Sequence, residues 1–438
     1  MHSSNKIMAC PRDVVTRRLA GQFKRFPSID VTPLLVDELD SRDAGLARAI
    51  DHAVHRRWYS LAAIISHTSS RKLHTLDAQV GATLLVATAQ LLLLDRIPDH
   101  AVIHSAVEWV KSKGDNPRAA GFVNAVLRKI TRIRGEKIQK GIIGDAHHFL
   151  RGDGSAWELV EPVFKDDTSG QAGFSIKSWK RMAEEFGTEL ATTLASNSLV
   201  EPPIIVTNSG SDPLPSEVIP HTLQGFGIVP GDVSLIELFE ANQTLRVQDP
   251  TSANSLSLAK TLSPRRILDL CAGRGTKTKQ LRAMFPEAYI GATEPNEPRR
   301  ESLHEIADEY NIAVYTPETQ GPTEPFDLIL VDAPCSNSGV FARRPEAKYR
   351  YNKKSIDSVV DLQREILGEA VEVLLPKGHI LYATCSVDDA ENEVQANWLS
   401  TKKKLLHCAQ LRTLPSGRPG SDPASWHDGG YAVLMQAQ

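Results

Sequence analysis

Ile267-Leu268-Asp269-Leu270-Cys271-Ala272-Gly273-Arg274-Gly275-Thr276-Lys277-Thr278 reads as a strand, a glycine loop and the first turn of a helix. Glycines after a strand let backbone N–H groups approach a ligand, and the helix that follows adds its positive end. Two further apolar runs read as strands, Asp327-Leu328-Ile329-Leu330-Val331 and His379-Ile380-Leu381-Tyr382-Ala383. Each leads into a cysteine motif, Asp332-Ala333-Pro334-Cys335-Ser336 and Thr384-Cys385-Ser386. In an open parallel sheet, ligands bind outside the carboxyl ends of the strands. The loop and both thiols are therefore expected around one crevice.

A second strand, Tyr289-Ile290-Gly291-Ala292-Thr293, ends at Glu294. An acidic residue there, about 20 residues beyond the loop, is placed to accept hydrogen bonds from ribose hydroxyls. Loop, acid and the later Asp332 fit either a dinucleotide or S-adenosyl-L-methionine. The chain lacks a full Gly-x-Gly-x-x-Gly, which favours the second. From about residue 251 onward strand and helix patterns alternate, the signature of a parallel α/β sheet.

The N-terminal half reads differently. Val14, Val15, Leu19 and Phe23 recur at helical spacing, and Leu46, Ala49, Ile50, Ala53 and Val54 form another stripe. Val80 to Leu94 is apolar on most faces, as expected of the central helix of a bundle. Pro98 stops that run, Ala101 to Lys111 begins a further helix, and Gly121 to Arg128 opens a last one. The expected organisation is a helical domain over 1–135, a linker over 136–170, where Gly, Asp and Lys are frequent, a small α+β segment over 171–250, and a catalytic domain over 251–438.

A chain of 438 residues exceeds one ordinary domain. Its 41% hydrophobic and 24% charged content is that of a soluble globular protein. No apolar run is long enough to span a bilayer and no signal pattern opens the chain, so a cytoplasmic protein without a membrane partner is expected. Five scattered cysteines with no CxxC pair exclude a disulfide framework and argue against a structural zinc, so no metal is expected. With a net charge of −3, nucleic-acid binding requires local basic patches. One such run follows Cys335: Arg343, Arg344, Lys348, Arg350, Lys353 and Lys354, with Tyr349 and Tyr351 interleaved. It is either a solvated loop or a set of phosphate contacts with aromatic platforms for bases. Arg128, Lys129, Arg132 and Arg134 offer a second basic surface.

An isolated buried Cys is usually a small hydrophobe, which is the expectation for Cys10 and Cys408. Cys335 and Cys385 have more specific settings. Pro334 fixes φ and removes a donor, giving Cys335 a rigid seat. Cys385 lies between two hydroxyl residues, just before a helix that Asp388 can cap.

Taken together, these motifs resemble the RsmB (Sun/Fmu) family of bacterial ribosomal RNA cytosine-C5 methyltransferases. Val247-Gln248-Asp249-Pro250 with Ser252 is similar to the family's lead-in, and Asp269 to Thr278 to its cofactor loop. Asp332 to Ser336 with Gly339, Arg344-Pro345 and Lys348, and Tyr382 to Ser386 with Glu391-Asn392-Glu393, are similar to its two cysteine motifs. Ile97 to Ala101 and Gly121 to Arg128 resemble the NusB-like RNA-binding domain fused to these enzymes. The chain departs from the family in Arg274-Gly275-Thr276, where Pro-Gly-Gly is usual, and in Glu294, where Asp is usual. For the acid after the third strand, Glu318 is the nearest candidate.

The resemblance implies an all-α NusB-like bundle, a small α+β segment and a Rossmann-like α/β methyltransferase domain. It implies that Cys271, Ala272, Gly273, Arg274, Gly275, Thr276, Lys277, Glu294 and Asp332 surround S-adenosyl-L-methionine. Cys385 would attack C6 of cytosine, Cys335 would assist release, and Asp332 would face the base. Arg343, Arg344, Lys348, Lys353 and Lys354 would contact RNA, expected to be a single-stranded loop of 16S ribosomal RNA, with the protein acting as a monomer. Two other readings compete: an RNA-binding ribosome-assembly factor that has lost catalysis, and a DNA cytosine methyltransferase whose nucleophile is the Pro-Cys thiol.

Overall fold

The computed structural model describes residues 10–165, 168–208, 213–316 and 324–438. Two compact units account for the chain. The first comprises residues 1–201 with 341–350 and 418–421; the second comprises 202–340, 351–417 and 422–438.

The first unit is built on five helices, α1 (Pro11–Phe23), α2 (Ser41–Ser69), α3 (Ala78–Leu93), α4 (Asp99–Ser112) and α5 (Ala120–Ile133). Every residue of α3 from Val80 to Leu92 is buried, so it is the central helix that its apolar surface demands. Asp77 caps it, accepting from the amides of Gln79 and Val80. A Cβ on Gly81 would collide with the Phe23 ring, so α1 and α3 approach closely there.

Residues 136–170 are not the linker their composition suggested. Strands β1 (Arg134–Ile138), β2 (His148–Leu150) and β3 (Ala156–Leu159) pair antiparallel in the order β1-β3-β2. Phe149, Leu159 and Phe164 enter the core of the helices, which is what orders this polar stretch. Two helices follow, α6 (Thr168–Gln171) and α7 (Ile176–Asn197), the latter kinked at Gly187, where φ is +75°.

The second unit opens with a small antiparallel sheet. Strands β4 (Ile204–Asn208), β5 (Ile219–Pro220), β6 (Phe226–Val229) and β7 (Leu245–Val247) lie in the order β5-β6-β4-β7, and α8 (Leu235–Ala241) covers them. Val206, Val229, Leu238 and Leu245 form their core.

After α9 (Pro250–Asn254) comes the main sheet. It contains β8 (Arg266–Asp269), β9 (Tyr289–Thr293), β10 (Ile312–Tyr315), β11 (Phe326–Asp332), β12 (Leu374–Thr384), β13 (Leu406–Thr413) and β14 (Gly430–Gln436). The spatial order is β10-β9-β8-β11-β12-β14-β13. The first five strands are parallel, and β14 runs antiparallel to both its neighbours. Helices α10 (Thr276–Met284), α11 (Glu297–Ala307), α12 (Ala347–Arg350), α13 (Lys353–Glu372) and α14 (Glu393–Lys402) complete the chain, α12 belonging to the first unit. Successive residues of β11 serve different cores: Ile329 and Val331 pack on one face, Leu328 and Leu330 on the other. Burial on both faces explains why this strand reads as a continuous apolar run. Strand order reverses between β8 and β11, so the crevice outside their carboxyl ends is where this fold takes ligands.

The Glu318 candidate lies outside the described residues. Cys408 is exposed on the edge strand β13 rather than buried in a core.

Candidate active site

The loop from Cys271 to Gly275 joins β8 to α10. Gly273 and Gly275 have φ of +59° and +84°, values that L side chains resist. A Cβ on Gly275 would meet Leu303 and Ile306 of α11, whereas one on Gly273 would enter open space. The loop is pinned to β9 through the Ala272 amide on the Thr293 carbonyl, 3.0 Å, and the Thr293 hydroxyl on the Leu270 carbonyl, 2.6 Å. Arg274 is exposed and donates to Ser302 Oγ at 2.9 Å; Thr276 is exposed in the first turn of α10. Burial holds the Cys271 thiol well above its ordinary range, so this sulfur stays protonated.

Carboxylates stand at three strand ends. Asp269 is fully buried and accepts from Thr278 Oγ1 at 2.7 Å, while its Oδ1 has no hydrogen-bond partner among the described residues. Burial raises its pKa to about 7. Glu294, 5% exposed, accepts from the Asn296 amide at 2.8 Å. Asp332 accepts from Lys277 Nζ at 2.7 Å. Burial alone would lower the lysine pKa, but the Asp332 charge and hydrogen bond raise it, so the ammonium persists.

The two cysteines lie beyond the adjacent ends of β11 and β12, where Asp332 pairs with Ala383. Cys335 Sγ and Cys385 Sγ are 3.1 Å apart, with both thiols free. The hydrogen bond with Cys385, followed by burial, holds the Cys335 thiol well above its ordinary pKa. Cys385 donates to Asn337 Oδ1 at 3.2 Å. Asn337 adopts φ of +60°, a conformation tolerated by Asn better than by most residues. Asp388 caps the turn after Cys385 as its position suggested, accepting from the Ala390 amide at 3.1 Å.

Around the thiols lies a polar network that the motifs did not assign. Ser336, Ser338 and Ser386 join through their hydroxyls, and Glu391 accepts from Ser336 and Ser386. Gln363 is the polar member of an otherwise apolar buried stripe on α13, with Ile356, Val360, Leu367 and Ala370. A lone polar residue on such a stripe was a usable signal, because a buried amide needs a partner.

The basic run is divided between the two units. Arg343, Arg344 and Lys348 belong to the first unit, and Lys353 and Lys354 to the second. Arg344, Lys353 and Lys354 are exposed, and Lys353 pairs with Asp357 one turn on. Lys348 is not a surface phosphate contact. It is fully buried, with Nζ on the Arg56 carbonyl at 2.6 Å and over the rings of Phe174 and Tyr349. Nor are Tyr349 and Tyr351 base-stacking platforms. Tyr349 is buried against Phe26 and Tyr59, and Tyr351 is buried with its hydroxyl on Asp388 Oδ2 at 2.8 Å. Of the second basic surface, Arg128 and Arg132 are exposed, whereas Arg134 is turned onto Asp99 and the Trp157 ring.

Among the described residues no cluster of His, Cys, Asp and Glu could hold a metal ion, and no helix is long and apolar enough to cross a membrane.

Comparison with known proteins bears on this geometry. Residues 258–415 match the family described as 16S rRNA methyltransferase RsmB/F, and residues 17–132 match the NusB family. The chain is 30% identical over 397 residues to Ribosomal RNA small subunit methyltransferase B of Xanthomonas campestris, an alignment covering 88% of this chain and 86% of that protein. It is 29% identical over 420 residues to the protein of the same name from Vibrio cholerae, covering 90% and 87%. Among solved structures, that of PH0851 has the same fold, with a TM-score of 0.66 over 98% of this chain and 100% of that one, at 17% identity.

Proposed function

The chain belongs to the Ribosomal RNA small subunit methyltransferase B family, and on that premise we propose that it forms 5-methylcytosine in 16S ribosomal RNA through a covalent link from Cys385. It is an S-adenosyl-L-methionine-dependent ribosomal RNA methyltransferase. The observation that carries the finer reading is the pair of free thiols 3.1 Å apart beyond adjacent strand ends.

Cytosine C5 is a weak nucleophile. A thiolate adding at C6 turns it into an enamine carbon able to accept a methyl group, so one hard step becomes two easier ones. Bound S-adenosyl-L-methionine supplies the electrophilic methyl. Cys385, whose sulfur contacts Asn337, adds to C6. Cys335 takes up the C5 proton as a thiolate, its own proton having passed to solvent, and the C6–S bond then breaks to release the base and Cys385. A thiol pKa raised by its neighbour and by burial makes that thiolate a strong base. Asp332, fixed by Lys277, faces the polar edge of the cytosine.

The cradle suits the cofactor. Gly273 leaves open space above the loop, and the Glu294 carboxylate stands at the next strand end, in reach of a ribose. These features remain despite Arg274-Gly275-Thr276, which weighs against an assembly factor without catalysis. A flipped or unpaired base is required, since a stacked one cannot reach two thiols in a crevice. Arg343, Arg344, Lys353 and Lys354 contact RNA phosphates, and the protein works as a monomer. Bisulfite sequencing of 16S ribosomal RNA from a deletion strain tests the product. One cytosine should lose its protection, and an unchanged pattern would overturn the reading.

A further inference from the structure

Glu391 touches both cysteine loops. Its Oε2 accepts the Ser336 amide at 2.7 Å, and its Oε1 accepts Ser336 Oγ at 2.5 Å and Ser386 Oγ at 2.6 Å. Ser336 directly follows Cys335, and Ser386 directly follows Cys385. Gln363 Nε2 donates to Glu391 Oε2 at 3.3 Å and to the Pro334 carbonyl at 3.0 Å, so the residue before Cys335 is tied to the same centre. Glu391 itself is fully buried and its backbone is pinned: Tyr382 Oη donates to its carbonyl at 2.6 Å. Asn392, beside it, holds Thr384 Oγ1 at 2.6 Å and the Ser386 carbonyl at 3.0 Å.

A buried carboxylate is costly unless its oxygens are satisfied by donors. Here the donors come from two loops separated by about fifty residues of chain, and each is adjacent to a sulfur. Hydrogen bonds to a charged acceptor are short and roughly twice as strong as neutral ones. The network therefore fixes where each loop can sit relative to the other.

We propose that Glu391 is a positioning residue that sets the distance between the Cys335 and Cys385 thiols, with Ser336 and Ser386 as its two arms and Gln363 as its seat. This rests on the reading that both thiols serve one reaction. Glu391 bonds the serines rather than the sulfurs, so it acts through them.

The test measures thiol separation apart from catalysis. Diamide oxidises two neighbouring thiols: one S–S bond forms, and both hydrogens pass to the azo bond, which becomes a hydrazine. In the full-length protein, Cys335 and Cys385 should couple quickly. Glu391→Ala should couple more slowly by about 10-fold and lose kcat by about 10- to 100-fold with KM for RNA unchanged, the scale of one or two lost charge-assisted hydrogen bonds. Glu391→Gln should recover most of both, because its amide oxygen can accept from Ser336 and its amide nitrogen can donate to Ser386 Oγ. Wild-type coupling and kcat in Glu391→Ala would overturn the proposal. If that variant does not fold, Ser336→Ala and Ser386→Ala each remove one arm, and wild-type coupling in both would overturn it equally. Failure of the two-thiol reading looks different: methylation would then survive Cys385→Ala, while coupling would still depend on Glu391.

Discussion

Lys277 Nζ and Asp332 Oδ2 lie 2.7 Å apart, so the helix after the glycine loop and the strand before Cys335 share one ion pair. The lysine side chain is 13% exposed and the carboxylate 34%, which leaves the pair only partly screened by water. Its position at the switch point joins the glycine loop to the strand end that leads into the Cys335 motif.

Removing the lysine should therefore cost more than a surface charge. Lys277→Met is expected to lower kcat/KM by about 10- to 100-fold, the loss of a hydrogen bond between charged groups. Combined with Asp332→Asn, the losses should be far from additive, as they are for contacting residues. Glu294→Ala should leave this pair intact and weaken S-adenosyl-L-methionine binding by about 1–3 kcal/mol, measured by calorimetry.

The two thiols should separate cleanly. Cys385→Ala is expected to abolish methyl transfer and to form no covalent link with RNA. Cys335→Ala should still form the link but release it poorly, so an adduct that survives denaturation accumulates. A denaturing gel with labelled RNA reads both variants. An adduct in Cys385→Ala and none in Cys335→Ala would reverse the roles and favour the mechanism of DNA cytosine methyltransferases.

Asp269 makes stability depend on pH. Burial raises its pKa in the folded protein from the ordinary 3.8 to about 7. The unfolded chain thus gives up this proton at lower pH than the folded one. The group's contribution is full below about pH 4 and is lost as pH rises through about 7. Asp269→Asn keeps an acceptor for Thr278 and should remove that loss. Its unfolding free energy, followed by denaturation, should gain on the wild-type value between those limits, by a few kcal/mol at most at about 1.4 kcal/mol per pKa unit. A constant offset across that range would contradict the assignment.

RNA affinity should fall with salt in proportion to the phosphates neutralised. Changing Arg344, Lys353 and Lys354 together to Gln is expected to flatten the slope by about 2–3 units. Lys348→Met should leave the slope unchanged, because that ammonium is buried and has no access to phosphate. Burial, and then the nearby Arg57 and Arg56 charges, push the Lys348 pKa well below its ordinary value. Folded Lys348 therefore loses its proton more readily than the unfolded chain, and its cost to stability grows as pH falls. Lys348→Met should accordingly gain stability relative to wild type toward lower pH, followed by thermal denaturation.

Local pattern carried much of this. The two-sided burial of Leu328 to Val331, the glycine loop and the two cysteine motifs are short-range features, legible because sheet position follows from an apolar run and what ends it. Val80 to Leu92 is legible for the same reason. What escaped depends on distant partners. Lys348 looked like an RNA phosphate contact because its acceptor is the carbonyl of Arg56, far back in the chain. Residues 136–170 looked like a linker, because the core that receives Phe149 and Leu159 is made by helices. Glu391 stood in a quoted motif without a role, since its partner Ser336 lies 55 residues away.

The membership of the first unit has a consequence for synthesis. Residues 341–350 close its core, placing Tyr349 against Phe26 and Tyr59, yet they leave the ribosome long after residue 201. The helices cannot reach their final packing while the nascent chain is shorter than about 350 residues, so the second unit must be largely translated before the first is finished. A fragment ending at 201 would carry an uncovered aromatic cleft where Tyr349 belongs. The two halves are consequently not interchangeable cassettes, and a gene fusion that cuts after residue 201 would part the first unit from its own residues 341–350, including α12.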